Sequence, residues 1–220
     1  MLAFVAAGTS RIGIATRVLG VPYRPPAMVA KMAETLDRLS GGRLVLGLGG
    51  GASDDEFRQL GLHVPTPREK VAGLEEAVAV IRGLWSHTDF TYTGTLFGTE
   101  NATIEPKPER RIPIWFGTFG PRALELTGRV ADGWIPSLGY ASAEDLPLMR
   151  QRVLDAAERA GRDPSTITTA LNLDLEDGLD HLETLIGAGF TTLNFKVAPG
   201  PDRAERIERL AKEVLPPLRG

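Results

Sequence analysis

The feature that most constrains this chain is an alternation running along nearly its whole length: short, β-rich apolar runs, each followed by a stretch with helical spacing. RIGIATRVL reads as a strand. Pro25 and Pro26 then open a helix in which Met28, Met32, Leu36 and Leu39 recur at i+3 and i+4, and Gly41 and Gly42 end it. RLVLGLG is the next strand, and PREKVAGLEEAVAVIRGLW is a helix with Val71, Leu74, Val78, Ile81 and Trp85 on one stripe. IPIWFGT is again a strand, followed by a helix from Pro121 to Val130 and the short strand DGWIP. Ser142 with Asp145 marks the start of a helix closed by Gly161. TITTALNLDL and TTLNFKV are further strands; Leu179, Leu182 and Ile186 make a short helix between them, and Ile207, Leu210 and Val214 a final one. Strands separated by helices pair in parallel, so the expected class is α/β, with about six strand–helix units. The turn-rich segment HTDFTYTGTLFGTENATIEPKPERR breaks the rhythm and reads as a hairpin-like insertion, either a lid or a plain connector.

Composition narrows the classes of function. With 220 residues, 42% of them hydrophobic and 24% charged, the chain suits one globular domain over residues 1–220. A net charge of -3 offers no broad electropositive surface, so nucleic acid is not an expected partner. There is no cysteine for a disulfide, a thiolate nucleophile or a sulfur ligand to zinc. No basic leader precedes LAFVAAG, and that run is far shorter than the roughly 18 residues of a membrane span; the cytoplasm is the expected compartment. His63, His87 and His181 are scattered without metal-ligand spacing, and no metal is expected.

Two glycine-rich turns carry what chemistry there is. LVLGLGGGASDDEF matches the dinucleotide-binding fingerprint in form, but it lacks the crossover helix directly after the turn and the acid that should end the next strand. Its acids have a local explanation: Ser53 and Glu56 fit a capping box, and Asp54 and Asp55 suit the positive end of a short helix. In IWFGTFGPRALELTGRV a strand ends in Gly117, Thr118 and Gly120, Pro121 suits the first helical position, and Arg122 adds a positive charge. That is an anion site in outline, or a plain βα turn. Paired carboxylates such as Glu75–Glu76 lie on helical surfaces, and no nucleophile elbow is present. A protein with ligand-shaped turns and no acid–base apparatus can borrow its chemistry from a cofactor.

The strings AAGTSRIGIATRV, PPAMVAKMAETLDRLSGGRLVLGLGGG, REKVAGLEEAVAVIRGLW, IEPKPERRIPIWFGT and RALELTGRVADGWIP stand in the order in which they occur in a known family. The chain resembles the luciferase-like flavin and deazaflavin monooxygenases, and within them the coenzyme F420-dependent branch. The resemblance implies a TIM-type (β/α)8 barrel with its site at the C-terminal ends of the strands. It puts Thr16, Arg17 and Val18 beside the cofactor ring, often through a bulge, and Gly49, Gly50 and Gly51 where the backbone approaches the ring or its side chain. It puts Gly117, Thr118 and Gly120 at the phosphate end, with Arg68 as a basic residue that helps there. On this reading a valine at Gly50 or Gly117 blocks the ligand and leaves the fold largely intact. The luciferase proper has a phosphate-binding arginine where this chain has Gly50, which favours coenzyme F420 over the alternative, FMN.

The implied function is a flavin- or deazaflavin-dependent oxidoreductase or monooxygenase acting on a small organic substrate, with no catalytic residue assigned. The alternative is a non-catalytic flavin-binding relative or an inactive fragment. Expected partners are the small-molecule substrate and, in a homo-oligomer, further copies of the chain; no membrane partner is expected. A closed barrel has eight strands in about 250 residues, and the resemblance starts at the end of the family's second helix. The expectation is therefore an incomplete barrel, truncated at its N-terminal side by two units, with its first and last strands left as parallel edges.

Overall fold

The structure is a computed structural model that describes residues 1–175 and 182–214. Helix α1 (Leu2–Ala7) leads into two two-residue strands, β1 (Ile14–Ala15) and β2 (Leu19–Gly20), and then to α2 (Pro26–Leu39). Strand β3 (Leu44–Gly49) is followed by α3 (Asp54–Gln59) and the long α4 (Pro67–Ser86). A hairpin of β4 (Phe90–Thr93) and β5 (Gly98–Ala102) precedes β6 (Ile114–Phe116), α5 (Pro121–Val130) and β7 (Gly133–Trp134). Then come α6 (Leu146–Arg159), β8 (Thr168–Asp174), α7 (Leu182–Gly187), β9 (Thr192–Lys196) and α8 (Arg203–Arg209).

The main sheet has the order β1–β3–β6–β7–β8–β9, with β2 also on β3, and every pair in it is parallel. Strands advance by neighbours in sequence order around a curled sheet, the βα winding of a barrel that does not close. Its edges among the described residues are β1 with β2 on one side and β9 on the other. Register assigns the faces. Leu44, Leu46 and Leu48 of β3 stand beside Ile114 and Phe116 of β6 on the helix-covered face, all buried. Val45, Gly47, Trp115 and Thr168 point to the inside of the curl, where Ala15 is exposed. Two apolar cores result, one joining α2, β3, α4 and β6, the other joining β7, β8, α6 and α7.

Two helices differ from the sequence expectation, for the same reason. On α2 the buried residues are Pro26, Val29, Ala30, Ala33, Glu34 and Asp37, while Met28, Met32 and Leu39 are exposed. The small side chains allow close approach to the neighbouring elements, with the Trp85 indole donating to the Ala30 carbonyl at 3.0 Å. Met32 and Leu39 line a groove toward α1, which has only six residues with which to cover it. Helix α8 has no buried residue, and Ile207 is exposed. An apolar period marks a face that can be buried; a neighbour decides whether it is. Leu179 and His181 lie outside the described residues.

The insertion is an antiparallel hairpin, and α4 holds it. Phe90 fits a recess over Gly83, where a Cβ would come within 2.1 Å of its ring. Glu76 clamps the turn, accepting from the backbone N–H groups of Thr95, Leu96 and Phe97 at 2.8–2.9 Å. Burial disfavours the charge on Glu76, but the three N–H bonds outweigh it and hold the carboxyl below the ordinary glutamate value. A depressed pKa gives stability that is present above the unfolded value of about 4.3 and lost as pH falls through the folded value. Glu76→Gln is expected to cost about 1–3 kcal/mol at neutral pH, lowering Tm by roughly 2–4 °C per kcal/mol. The gap between wild type and variant should close on acidification below about pH 4; a gap that persists in acid would contradict the clamp.

Candidate functional site

At the C-terminal ends of β2, β3, β6 and β7 the chain forms a cleft of about 420 Å³, within the roughly 300–1,000 Å³ common for small-molecule sites. Its construction starts where β1 stops. The Thr16 hydroxyl takes over the ladder there, donating to the Gly47 carbonyl at 2.7 Å and accepting from the Gly47 N–H at 2.8 Å. The next peptide bond but one, Arg17–Val18, is cis, and β2 resumes pairing with β3 at Leu19. A Cβ at Gly47 would lie 2.0 Å from the Thr16 carbonyl oxygen, so only glycine fits.

Val18 is the result of this arrangement. Added Cβ atoms at Gly47, Gly49 and Gly117 would lie 3.2, 2.6 and 3.2 Å from its methyl groups. Its side chain rests on the bare backbone of three glycines from two strands and, at 36% exposure, forms the cleft floor. The neighbouring glycines have other local duties. A Cβ at Gly50 would meet the Lys70 Cβ at 2.9 Å, and Gly51, at φ +88°, leaves room for the Phe57 ring. A side chain at Gly50 therefore presses on Lys70, and one at Gly117 sits tightly against the Val18 methyls at 3.2 Å, so each touches the protein as well as the cleft.

The acids after the glycines also serve the chain. The Ser53 hydroxyl accepts from the Glu56 N–H at 3.1 Å, half of the expected capping box. The other half is diverted, because the Glu56 carboxylate accepts from the Tyr23 hydroxyl at 2.5 Å on the cleft wall. That carboxylate raises the Tyr23 phenol pKa. Asp54 pairs with Lys70 at 2.8 Å, and this bond lowers the Asp54 carboxyl.

On the far side of the cleft the β6–α5 turn is locked from beneath. The buried Trp134 indole donates to the Thr118 carbonyl at 2.9 Å, and the Thr118 hydroxyl shares a 2.7 Å bond with Thr127. Gly120 is the N-cap of α5 with no side-chain cap, and a Cβ there would meet nothing within 4 Å. Pro121 at the first helical position has no N–H, so the first helix donors follow it, and Phe119, just before the cap, lines the cleft.

Six of the sequence-expected residues line the cleft together: Arg17, Val18, Gly49, Gly50, Gly51 and Gly117. Thr16 lies behind it on the groove between α1 and α2, Thr118 is buried under its turn, and Gly120 is beside the mouth. Arg68 is exposed on the first turn of α4 and does not line it; the basic residue against the glycine run is Lys70. Sequence reasoning missed Tyr23, Glu56, Phe119, Ile135, Ser137, Tyr140 and Asn172. Only Asn172 had a readable signal, as a polar residue within the apolar run TTALNLDL. Among the described residues no cluster of three His, Asp or Glu side chains could hold a metal, and no helix is long and apolar enough to cross a membrane.

A curled parallel sheet with helices outside and its cleft at the strand C-termini defines a TIM-type barrel fold, here incomplete. The luciferase-like monooxygenase family model matches residues 1–175, and the chain belongs to that family. An F420-dependent glucose-6-phosphate dehydrogenase of Microbacterium testaceum strain StLB037 is 35% identical over 185 residues, 82% of this chain and 54% of that protein. The chain spans between about half and two thirds of the length of the curated relatives it matches, 54% and 64% for two of them. An F420-dependent secondary alcohol dehydrogenase, solved with an F420–acetone adduct, superposes with TM-score 0.87 at 19% identity, covering 97% of this chain and 82% of that one. The coenzyme F420-dependent tetrahydromethanopterin reductase of Methanopyrus kandleri superposes with TM-score 0.84 at 21% identity, covering 98% and 86%. At those identities the likeness is one of fold.

The seating of Val18 gives a test. Gly49→Ala should cost about 1–3 kcal/mol by overpacking. In the double variant with Val18→Ala most of that loss should disappear, a coupling of at least about 1 kcal/mol by chemical denaturation. Additive losses would show that Val18 is not what the glycine accommodates.

Proposed function

We propose that this chain carries the cofactor cleft of a deazaflavin- or flavin-dependent oxidoreductase acting on a small organic substrate, with coenzyme F420 preferred over FMN. The observation that carries the proposal is the floor made by Val18 on three glycines, near the N-terminus of α5, whose N-cap Gly120 has no side-chain cap. A flat ring needs an apolar platform and close backbone on one side, and Val18, Gly49, Gly117 and Ile135 supply both. An anionic side chain needs donors at the mouth. The α5 N-terminus, with Arg122 in its first turn, offers them. The printed functions of the relatives support the same reading, since the curated protein and both solved structures named above are F420-dependent.

Bound in this cleft, the cofactor would take a hydride from the substrate in its oxidised form or give one in its reduced form, which no side chain of the chain can do. The chain's own contribution is to hold and orient it. Val18 and the glycine backbone would hold the ring, the α5 N-terminus would hold its anionic end, and Phe119 and Tyr140, with rings 5.4 Å apart, would shield the mouth from water. Tyr23 and Glu56 form the one hydrogen-bonded acid pair on the cleft lining, placed to take or give a proton at its rim.

Titration of the purified protein with F420 and with FMN, followed by cofactor fluorescence, tests this. Saturable binding of F420 at least tenfold tighter than that of FMN is expected. Tighter FMN binding moves the assignment to the flavin. Failure of both at millimolar concentration overturns the proposal, and binding without turnover across a panel of alcohols, aldehydes and sugar phosphates favours a non-catalytic binder.

A further inference from the structure

The inner face of the sheet holds a polar pair, Asn172 on the cleft lining and Asn194 beside it on β9. Asn172, on β8, lines the cleft with Ile135 and Ser137 and is only 6% exposed. Its backbone is tied to the segment after β7: its N–H donates to the Pro136 carbonyl, and its carbonyl accepts from the Leu138 N–H, each at 2.9 Å. Its side-chain Nδ2 donates to the Ser137 Oγ at 3.1 Å. Its Oδ1 is shut off from solvent and has no hydrogen-bond partner in the protein. Directly opposite in the parallel register stands Asn194 on β9, whose Nδ2 is likewise buried and unpartnered. A desolvated acceptor and a desolvated donor thus sit side by side on the inner face of the sheet.

Unsatisfied buried polar groups are rare, and each is costly enough that a sequence serving stability alone replaces it with an apolar residue. The preceding inward-facing position on the same strand shows what such a replacement looks like, with Ala170 fully buried. The Asn172 anchor also fixes which way its amide points. With Nδ2 committed to Ser137, Oδ1 is the atom left for a partner at the cleft that Asn172 borders.

We propose that Asn172 reads an imide edge of the bound ligand, with the N–H of that edge donating to Asn172 Oδ1. The inference rests on the cofactor reading above, since the pyrimidinedione ring shared by F420 and FMN carries such an edge. It assigns the cleft an inner polar end opposite the anion-binding mouth, and so the direction in which the ring enters. Asn172 is a binding residue here; it moves no proton.

The test pairs Asn172→Leu with a ligand lacking the donor. Leucine removes the orphaned acceptor at similar volume, so Tm is expected to hold or rise while the dissociation constants for F420 and FMN weaken about tenfold. FMN methylated at the imide nitrogen should bind wild type about tenfold more weakly than FMN and should lose nothing further in the variant. Asn172→Ala serves the same comparison should leucine not be accommodated. A variant with lower Tm and unchanged affinity for both cofactors overturns the inference, because the amide is then structural. Equal binding of FMN and its methylated form by wild type overturns it as well. If wild type binds neither cofactor, the parent reading falls and this one with it; if wild type binds and the variants bind as tightly, only this one falls.

Discussion

The methyl groups of Val18 lie on the bare backbone of Gly47, Gly49 and Gly117, and the functional end of the molecule depends on that contact. It draws together the residues after β1, the end of β3 and the end of β6, three segments far apart in sequence. Had any of the three glycines carried a side chain, Val18 would be lifted or the strands pushed apart, and overpacking of that kind costs on the order of 1–3 kcal/mol. The Thr16 hydroxyl completes the arrangement by bonding both backbone groups of Gly47 where the main-chain ladder is interrupted. A glycine-rich strand end is therefore, first, a seat for the protein's own side chain. Through that side chain it becomes a platform for something else.

Much of the fold was legible before any coordinates, because parallel strands between helices leave a strong periodic trace. The strands after residue 43, the long α4 with its Leu74, Val78 and Ile81 stripe, and the hairpin insertion all stand where the pattern puts them. What the pattern could not supply was a partner for each apolar face. Met28, Met32 and Leu39 have the spacing of a buried stripe, but the helix beside them is six residues long, and the side of α2 that is buried is the one carrying alanines. Periodicity is a property of one element, whereas burial belongs to two.

The site was legible in part for a similar reason. The glycine turns announced themselves by composition, and six of the expected residues gather in one cleft. Tyr23, Tyr140 and Ser137 carry no local signature, since only the curl of the sheet brings them together. Glu56 misled by a correct rule: its N–H is capped by Ser53 as the motif requires, while its carboxylate has a stronger claim from Tyr23. Thr118 looks like a ligand contact by position, yet its hydroxyl is bonded to Thr127 and its carbonyl to Trp134. Among the described residues the sheet ends in two edges, with the inner face of the curl open beside Ala15, and the cleft is walled on the sides that β3, β6, β7 and β8 provide.

The central claim is that the platform of Val18 and the glycines is where a flat redox cofactor lies. The most direct measurement is a crystal structure of the protein with reduced F420. The account predicts ring density against the Val18 methyl groups, with the anionic tail leading to the N-terminus of α5. Density in the apolar groove between α1 and α2, or in the groove between α5 and α6 with the Val18 platform bare, would contradict it.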